Sequence, residues 1–342
     1  VPHRRLTSLI IAALCLLAGA CGDGSILGDT TTGAPVDGLP AVDLEASQQF
    51  VLASADRTTA LPYRFEASLS MVIDVDIMRI EVDGDEPVMR GTFDGERTWM
   101  HMDIGVMFED MAESEPMLGS MLDELGAARD MLVMEAILDD TVMYIHAPMF
   151  GIPLLSSELP GDLGYLAHGW GRVDLASLPQ FGIDDLSSMT GASGLDPSAV
   201  LDILRSVGVD VRDDGSERVN GVDTTRLLAP ATLTQLLEAQ GGTSGMLDGF
   251  GFDDGSLLDT TVDIVVNIDG QGLVRRVSYD IDLGEWMSAM APAEMGGLFG
   301  DVEMRIGMEL DFLDYGHTEV VLPPSDARDI GPALRGLFSL AA

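Results

Sequence analysis

The chain has 342 residues, with 57 acidic and 18 basic side chains, a net charge of −39, and 46% hydrophobic residues. All 18 basic residues are Arg, and a surface this acidic disfavours nucleic-acid phosphates and anionic lipid headgroups as partners. The hydrophobic content excludes a disordered acidic tail and allows a sizeable core, and the length is compatible with one large sheet domain.

The N-terminus reads as a targeting segment. Arg4 and Arg5 precede an apolar run from Leu6 to Leu17, and Ala18-Gly19-Ala20 supplies the small residues of a cleavage site. The run is too short for a convincing membrane span. Cys21 follows at once, and Leu17-Ala18-Gly19-Ala20-Cys21 resembles a bacterial lipobox. The usual pattern has Leu three places before the Cys, where this chain has Ala18. The other cysteine, Cys15, lies inside the run that would be removed, so no disulfide is expected in the mature chain. Cys21 is then expected to be a lipid attachment point, the alternative being an ordinary secretory signal with a chance Cys. Two or more acyl chains, each buried methylene contributing about 0.8 kcal/mol, would hold the protein on a membrane without a transmembrane helix.

Residues 1–20 therefore read as a signal peptide and 21–40, rich in Gly, Asp, Thr and Pro, as a flexible tether. The rest, 41–342, shows no linker and no solenoid repeat, and reads as a single domain. A first helix is expected over 41–55. From Tyr63 to Ile77 the residues Tyr63, Phe65, Ala67, Leu69, Met71, Ile73, Val75 and Ile77 share one face, and Arg64, Glu66, Ser68, Ser70, Asp74 and Asp76 share the other. That period of two is a strand near 50 Å long at about 3.3 Å per residue, so it should bend or bulge. Hairpins are expected at 88–104 around Asp94-Gly95 and at 131–146 around Asp139-Asp140. Between them, 106–127 is Met-rich and helix-compatible. Pro148 to Gly169 reads as an apolar loop and Gly169 to Leu175 as a short edge strand. Helices are expected over 197–207, capped by Asp196, and over 232–240. Asp213-Asp214-Gly215 reads as a turn between strand signals, and 241–255 as a Gly-rich loop.

The last third organises the chain. Val262, Ile264, Val266 and Ile268 form one apolar face before Asp269-Gly270. Val277, Tyr279, Ile281 and Leu283 form the next, with Val274, Arg276, Ser278, Asp280 and Asp282 opposite and Arg275 breaking the row. Met304, Ile306, Met308, Leu310 and Phe312 alternate with Arg305, Gly307, Glu309 and Asp311, and the run closes at Asp314-Tyr315-Gly316 and Pro323-Pro324.

Little here suggests catalysis. The histidines, His3, His101, His146, His168 and His317, lie in no metal-ligand spacing. Neither a nucleophile elbow nor a phosphate-binding Gly loop occurs, and the absence of Lys excludes Schiff-base chemistry. The acidic loop 248–255 lacks EF-hand spacing. No enzyme activity, metal or cofactor is expected. The 20 Met residues are the unusual feature. Met71, Met102, Met304, Met308 and those of 107–121 fall on expected buried faces, where they either fill a core or line a cavity that accepts flexible chains.

Several motifs point to a family. They are the lipobox and tether, Asn220-Gly221-Val222-Asp223, Ile268-Asp269-Gly270-Gln271-Gly272-Leu273-Val274-Arg275-Arg276-Val277, and Leu310-Asp311-Phe312-Leu313-Asp314-Tyr315-Gly316 before Pro323-Pro324. Over roughly residues 45–326 the chain resembles the LppX/LprA/LprF/LprG group of actinobacterial lipoproteins, which is related to the LolA/LolB carriers. The resemblance implies an α+β fold: a large curved antiparallel half-barrel with helices on its concave face and an apolar cavity between. It further implies lipid or glycolipid acyl chains as ligands, carriage or presentation of them in the cell envelope, an envelope transporter as a possible partner, and no catalytic residues. The expected cavity wall is Phe65, Leu69, Met71 and Ile73, then Val262, Ile264 and Val266, then Met304, Ile306, Met308 and Leu310. The outer faces of those strands carry charges that need water, so these side chains must point inward. The other outcome left open is a surface lipoprotein whose core is filled by its own side chains.

Overall fold

A computed structural model describes residues 58, 61–75, 78–114, 131–152, 163–177, 211–232, 235, 261–284 and 303–334. The expected helices at 41–55 and 197–207, most of 232–240, the loop 241–255, residues 76–77 and Cys21 lie outside these.

The described strands are β1 (Tyr63–Val75), β2 (Met78–Val82), β3 (Met89–Phe93), β4 (Arg97–Asp103), β5 (Val133–Asp139), β6 (Val142–His146), β7 (Gly171–Asp174), β8 (Arg212–Val219), β9 (Val222–Thr232), β10 (Thr261–Asp269), β11 (Val274–Asp282), β12 (Glu303–Leu313) and β13 (Arg328–Asp329). They form one thirteen-stranded sheet in the order β13-β7-β6-β5-β4-β3-β1-β12-β11-β10-β9-β8, with β2 added beside β1. Its pairings are antiparallel except β13 with β7. The sheet is open, with β8 and β13 at its two ends, as a half-barrel requires. Helix α1 (Ile104–Ser114), an α-helical turn at 331–334 and three short 3-10 turns accompany it among the described residues. No described helix is long and apolar enough to cross a membrane.

The pivotal pair is β1 with β12, sequence-remote strands joined over eleven residue pairs from Arg64–Leu313 to Asp74–Glu303. Because side chains alternate, the register decides which rows meet. Phe65 faces Phe312, Ala67 faces Leu310, Leu69 faces Met308, Met71 faces Ile306 and Ile73 faces Met304. The rows continue. Met134, Met102, Met89, Ala67, Leu310, Val277, Val266 and Leu227 lie in one cross-strand line over eight strands. At the end where β1 begins, Phe65 lies opposite Gly91, and its ring occupies the place where a Cβ on Gly91 would sit. Tyr63 stacks around it with Phe93, Phe312 and Tyr315 at centroid distances of 5.2, 5.6 and 5.8 Å. Burying a ring such as Phe65 stabilises by roughly 1.5–3 kcal/mol.

Three local readings are corrected by the structure. Asp213-Asp214-Gly215 is a bulge inside β8, with Gly215 at φ 99° and its N–H donated to Asp213 Oδ1 at 2.8 Å. The reversal comes instead at Asn220-Gly221, with φ of 48° and 82°, the two left-handed residues of a tight hairpin. Carboxylates and glycine serve a bulge as readily as a turn, and the pairing of β8 with β9 decides between them. Val274 points to the apolar side, because Asn267 pairs with Arg276 while Ile268 pairs with Val274, leaving Arg275 as an extra residue. β7 is flanked by both β6 and β13, so it is not the edge.

Candidate functional site

Along one side β1 has two partners. β3 pairs with 63–67 and β2 with 71–75, so the two strands diverge around residues 68–70. The chain from β2 back to β3 crosses this fork, and a Cβ on Gly84 (φ 74°) would meet Leu69 O at 3.0 Å. Helix α1 covers the fork on the apolar side. It starts directly after β4, where the Asp103 carboxylate accepts a hydrogen bond from Gly105 N at 2.9 Å, and Ile104 N donates to Leu132 O at 2.9 Å.

Between α1 and the sheet lies an apolar pocket of about 30 Å³. Ala67, Ser68 and Leu69 of β1, Met308 of β12, Val88, Met89 and Met102 of β3, β4 and their approach, and Ile104 and Met107 of α1 line it. Four of these nine are Met, whose three rotatable bonds let a wall give way without a backbone shift.

Of the residues expected at a cavity, Leu69 and Met308 line this pocket. Phe65, Val262, Ile264, Val266 and Leu310 are buried in the main core. Met71, Ile73, Met304 and Ile306 are half-buried further along β1 and β12. Of the other lining residues, Met102 and Met107 belong to the Met-rich pattern visible in the sequence. Met89 could have been found from its period-two spacing with Gly91 and Phe93. Ile104 could not, because its role depends on the helix folding back over the sheet.

One row beyond the pocket, Tyr279 of β11 lies opposite Met308. Its hydroxyl donates to Met308 Sδ at 2.9 Å. Burial pushes the phenol above its usual range, so it stays a neutral donor at any ordinary pH.

The opposite face of the sheet is polar. Arg276 binds Asp311 through Nε at 2.6 Å and Nη2 at 2.8 Å, and reaches Glu309 at 2.8 Å. Asn220 Nδ2 adds a hydrogen bond to Asp311 Oδ2 at 2.8 Å. Burial, with Asp311 and Glu217 nearby, raises the Glu309 carboxyl despite Arg276. Asn267, fully buried on this face, donates to Glu217 Oε2 and Thr224 Oγ1, both at 3.1 Å. These contacts hold strands in register and offer no nucleophile with a base beside it. Among the described residues, no three His, Cys, Asp or Glu side chains gather as a metal site.

No family model matches the chain, and no curated protein matches it. Among solved structures it is similar to LprF from Mycobacterium bovis, at 10% identity and TM-score 0.37, covering 83% of this chain and 99% of that one. It is also similar to the lipoprotein LppX from Mycobacterium tuberculosis, at 10% identity and TM-score 0.33, covering 81% and 100%. Both carry names of the group that the sequence motifs resemble, and at this identity and these scores the likeness carries no conclusion about this chain.

Proposed function

We propose that the chain is a lipoprotein, anchored through Cys21 on the outer face of the cell membrane, that binds acyl chains of lipids or glycolipids on the apolar face of its sheet. It would carry or present them in the envelope, with a membrane transporter as a possible partner and without catalysis of its own. The observation behind this reading is the Met-lined pocket under α1, whose wall includes members of two cross-strand apolar rows, Ala67 and Met89 of one and Leu69 and Met308 of the other. Flexible, polarizable walls suit a ligand that is itself flexible.

A second reading is favoured by the pocket's size. A water needs roughly 10–15 Å³ of such space, so about 30 Å³ holds two waters and not a chain of methylenes. In that reading the core is filled by its own side chains, and the protein is a structural or interaction module of the surface. Under the first reading a ligand must displace Met side chains or lift α1.

Native mass spectrometry of delipidated protein, before and after incubation with a total lipid extract, tests the choice. Retained lipid supports the carrier. No retained lipid under any condition leaves the filled-core module.

A further inference from the structure

Tyr279 is the polar group on an otherwise apolar row. Leu69, Met308, Tyr279, Ile264 and Ala229 follow one another across β1, β12, β11, β10 and β9. Among the described residues its hydroxyl has one hydrogen-bond partner, the thioether of Met308 at 2.9 Å. Tyr279 is half-buried, and a thioether is a weak acceptor, so the hydroxyl paired with it recovers only part of what it lost in leaving water. Met308 also forms part of the pocket wall. The same side chain therefore closes the pocket on the Tyr279 side and occupies the Tyr279 hydroxyl. Anything that widens the pocket by swinging Met308 aside exposes that donor.

We propose that Tyr279 is a specificity-determining residue: when an acyl chain displaces Met308, the Tyr279 hydroxyl donates to a neutral acceptor oxygen on the ligand, such as an ester carbonyl. This rests on the acyl-chain reading above. The acceptor is neutral because the other members of the row carry no charge, and a carboxylate there would lose its hydration without a counter-ion. A pure hydrocarbon is selected against, because it would take Met308's place and leave the hydroxyl unpaired. Met308 thus stands in for the ligand's oxygen while the site is empty of lipid.

The experiment compares methyl hexadecanoate and hexadecane, both delivered from cyclodextrin, by displacement of Nile red from the full chain. Tyr279→Phe should weaken the ester about five-fold and leave hexadecane unchanged or tighter. Met308→Leu, which keeps the volume and removes the competing acceptor, should tighten the ester and not the hydrocarbon. Equal changes for both probes, or no change for the ester in either variant, overturn the role of Tyr279. If the wild-type chain holds neither probe, the acyl-chain reading itself fails and this inference falls with it. Binding of both probes without a Tyr279 effect removes this inference alone.

Discussion

Arg275 and Asp269 form an ion pair at 2.7 Å across the turn joining β10 to β11, and each side chain is only 3% exposed. The pair is built by the bulge that makes Arg275 an extra residue in β11. Asp269 Oδ1 also accepts from Gln271 N at 2.8 Å and Leu273 N at 3.0 Å, while Oδ2 takes the Arg275 Nε bond at 2.7 Å. The guanidinium lies over the Tyr315 ring at 5.1 Å, and the Tyr315 hydroxyl donates to Val274 O at 2.6 Å. One carboxylate thus shapes a turn and anchors the charge that ties this turn to the one after β12.

Removing either partner leaves the other charged and buried. Arg275→Met should therefore cost about 3–5 kcal/mol, read as a lower denaturation midpoint with unchanged slope. Asp269→Asn keeps an acceptor for the turn but strands the guanidinium, and a similar loss is expected. A cost below about 1 kcal/mol for both would mean that water reaches the pair.

Gly91 is required by Phe65. A Cβ there would run into Trp99 O and the Phe65 ring, one of them backbone. Gly91→Ala should cost about 1–3 kcal/mol or more, since the central strands would have to part. Gly270, where an added Cβ meets nothing within 4 Å, is the control, and its Ala variant should stay within about 0.5 kcal/mol of wild type. Thermal melts of the two proteins make the comparison.

Met308 borders the pocket and Met71 does not. Met308→Trp exceeds a space of about 30 Å³, so it should cost roughly 1–3 kcal/mol and lower acyl-probe affinity about ten-fold or more. Met71→Trp, two residues from Leu69 on the same face but half-buried and outside the pocket, should leave affinity within about two-fold and cost below about 1 kcal/mol. Equal affinity losses for both would put the binding surface along the whole of β1.

His146 stacks on Trp170 at 5.6 Å and lies 3.9 Å from Glu135. Burial first, and then the charge of His168, lower its affinity for a proton below the usual 6.5. A base that binds its proton less well when folded adds stability above its unfolded pKa. That contribution is lost as pH falls from 6.5 toward the lower folded value. Unfolding free energies should decline over this window in the wild type and less in His146→Gln. Parallel pH curves for the two would assign the decline to the carboxylates.

Cys21 is tested by cell fractionation. Cys21→Ala should move the protein from the membrane fraction to the soluble one without changing its melting temperature, as expected if 21–40 is a flexible tether. Retention of the variant after a carbonate wash would mean that another element holds it on the membrane.

The strands were written in the sequence because alternation is local. Phe65 to Ile73 and Met304 to Phe312 declare a buried face with no knowledge of partners, and Asn220-Gly221 carries the left-handed pair of a hairpin turn within two residues. Three features could only be decided in three dimensions. Whether Asp213-Asp214-Gly215 turns or bulges depends on β9 lying alongside it, since the same residues satisfy both geometries. The side that Val274 faces depends on Arg275 being extruded opposite β10, where Asp269 gives its charge a partner. The pocket depends on β2 and β3 parting from β1 and on α1 closing over the gap, and no periodicity within one strand encodes a gap between its neighbours. Local pattern fixes which way a side chain points, whereas long-range pairing fixes what it meets there.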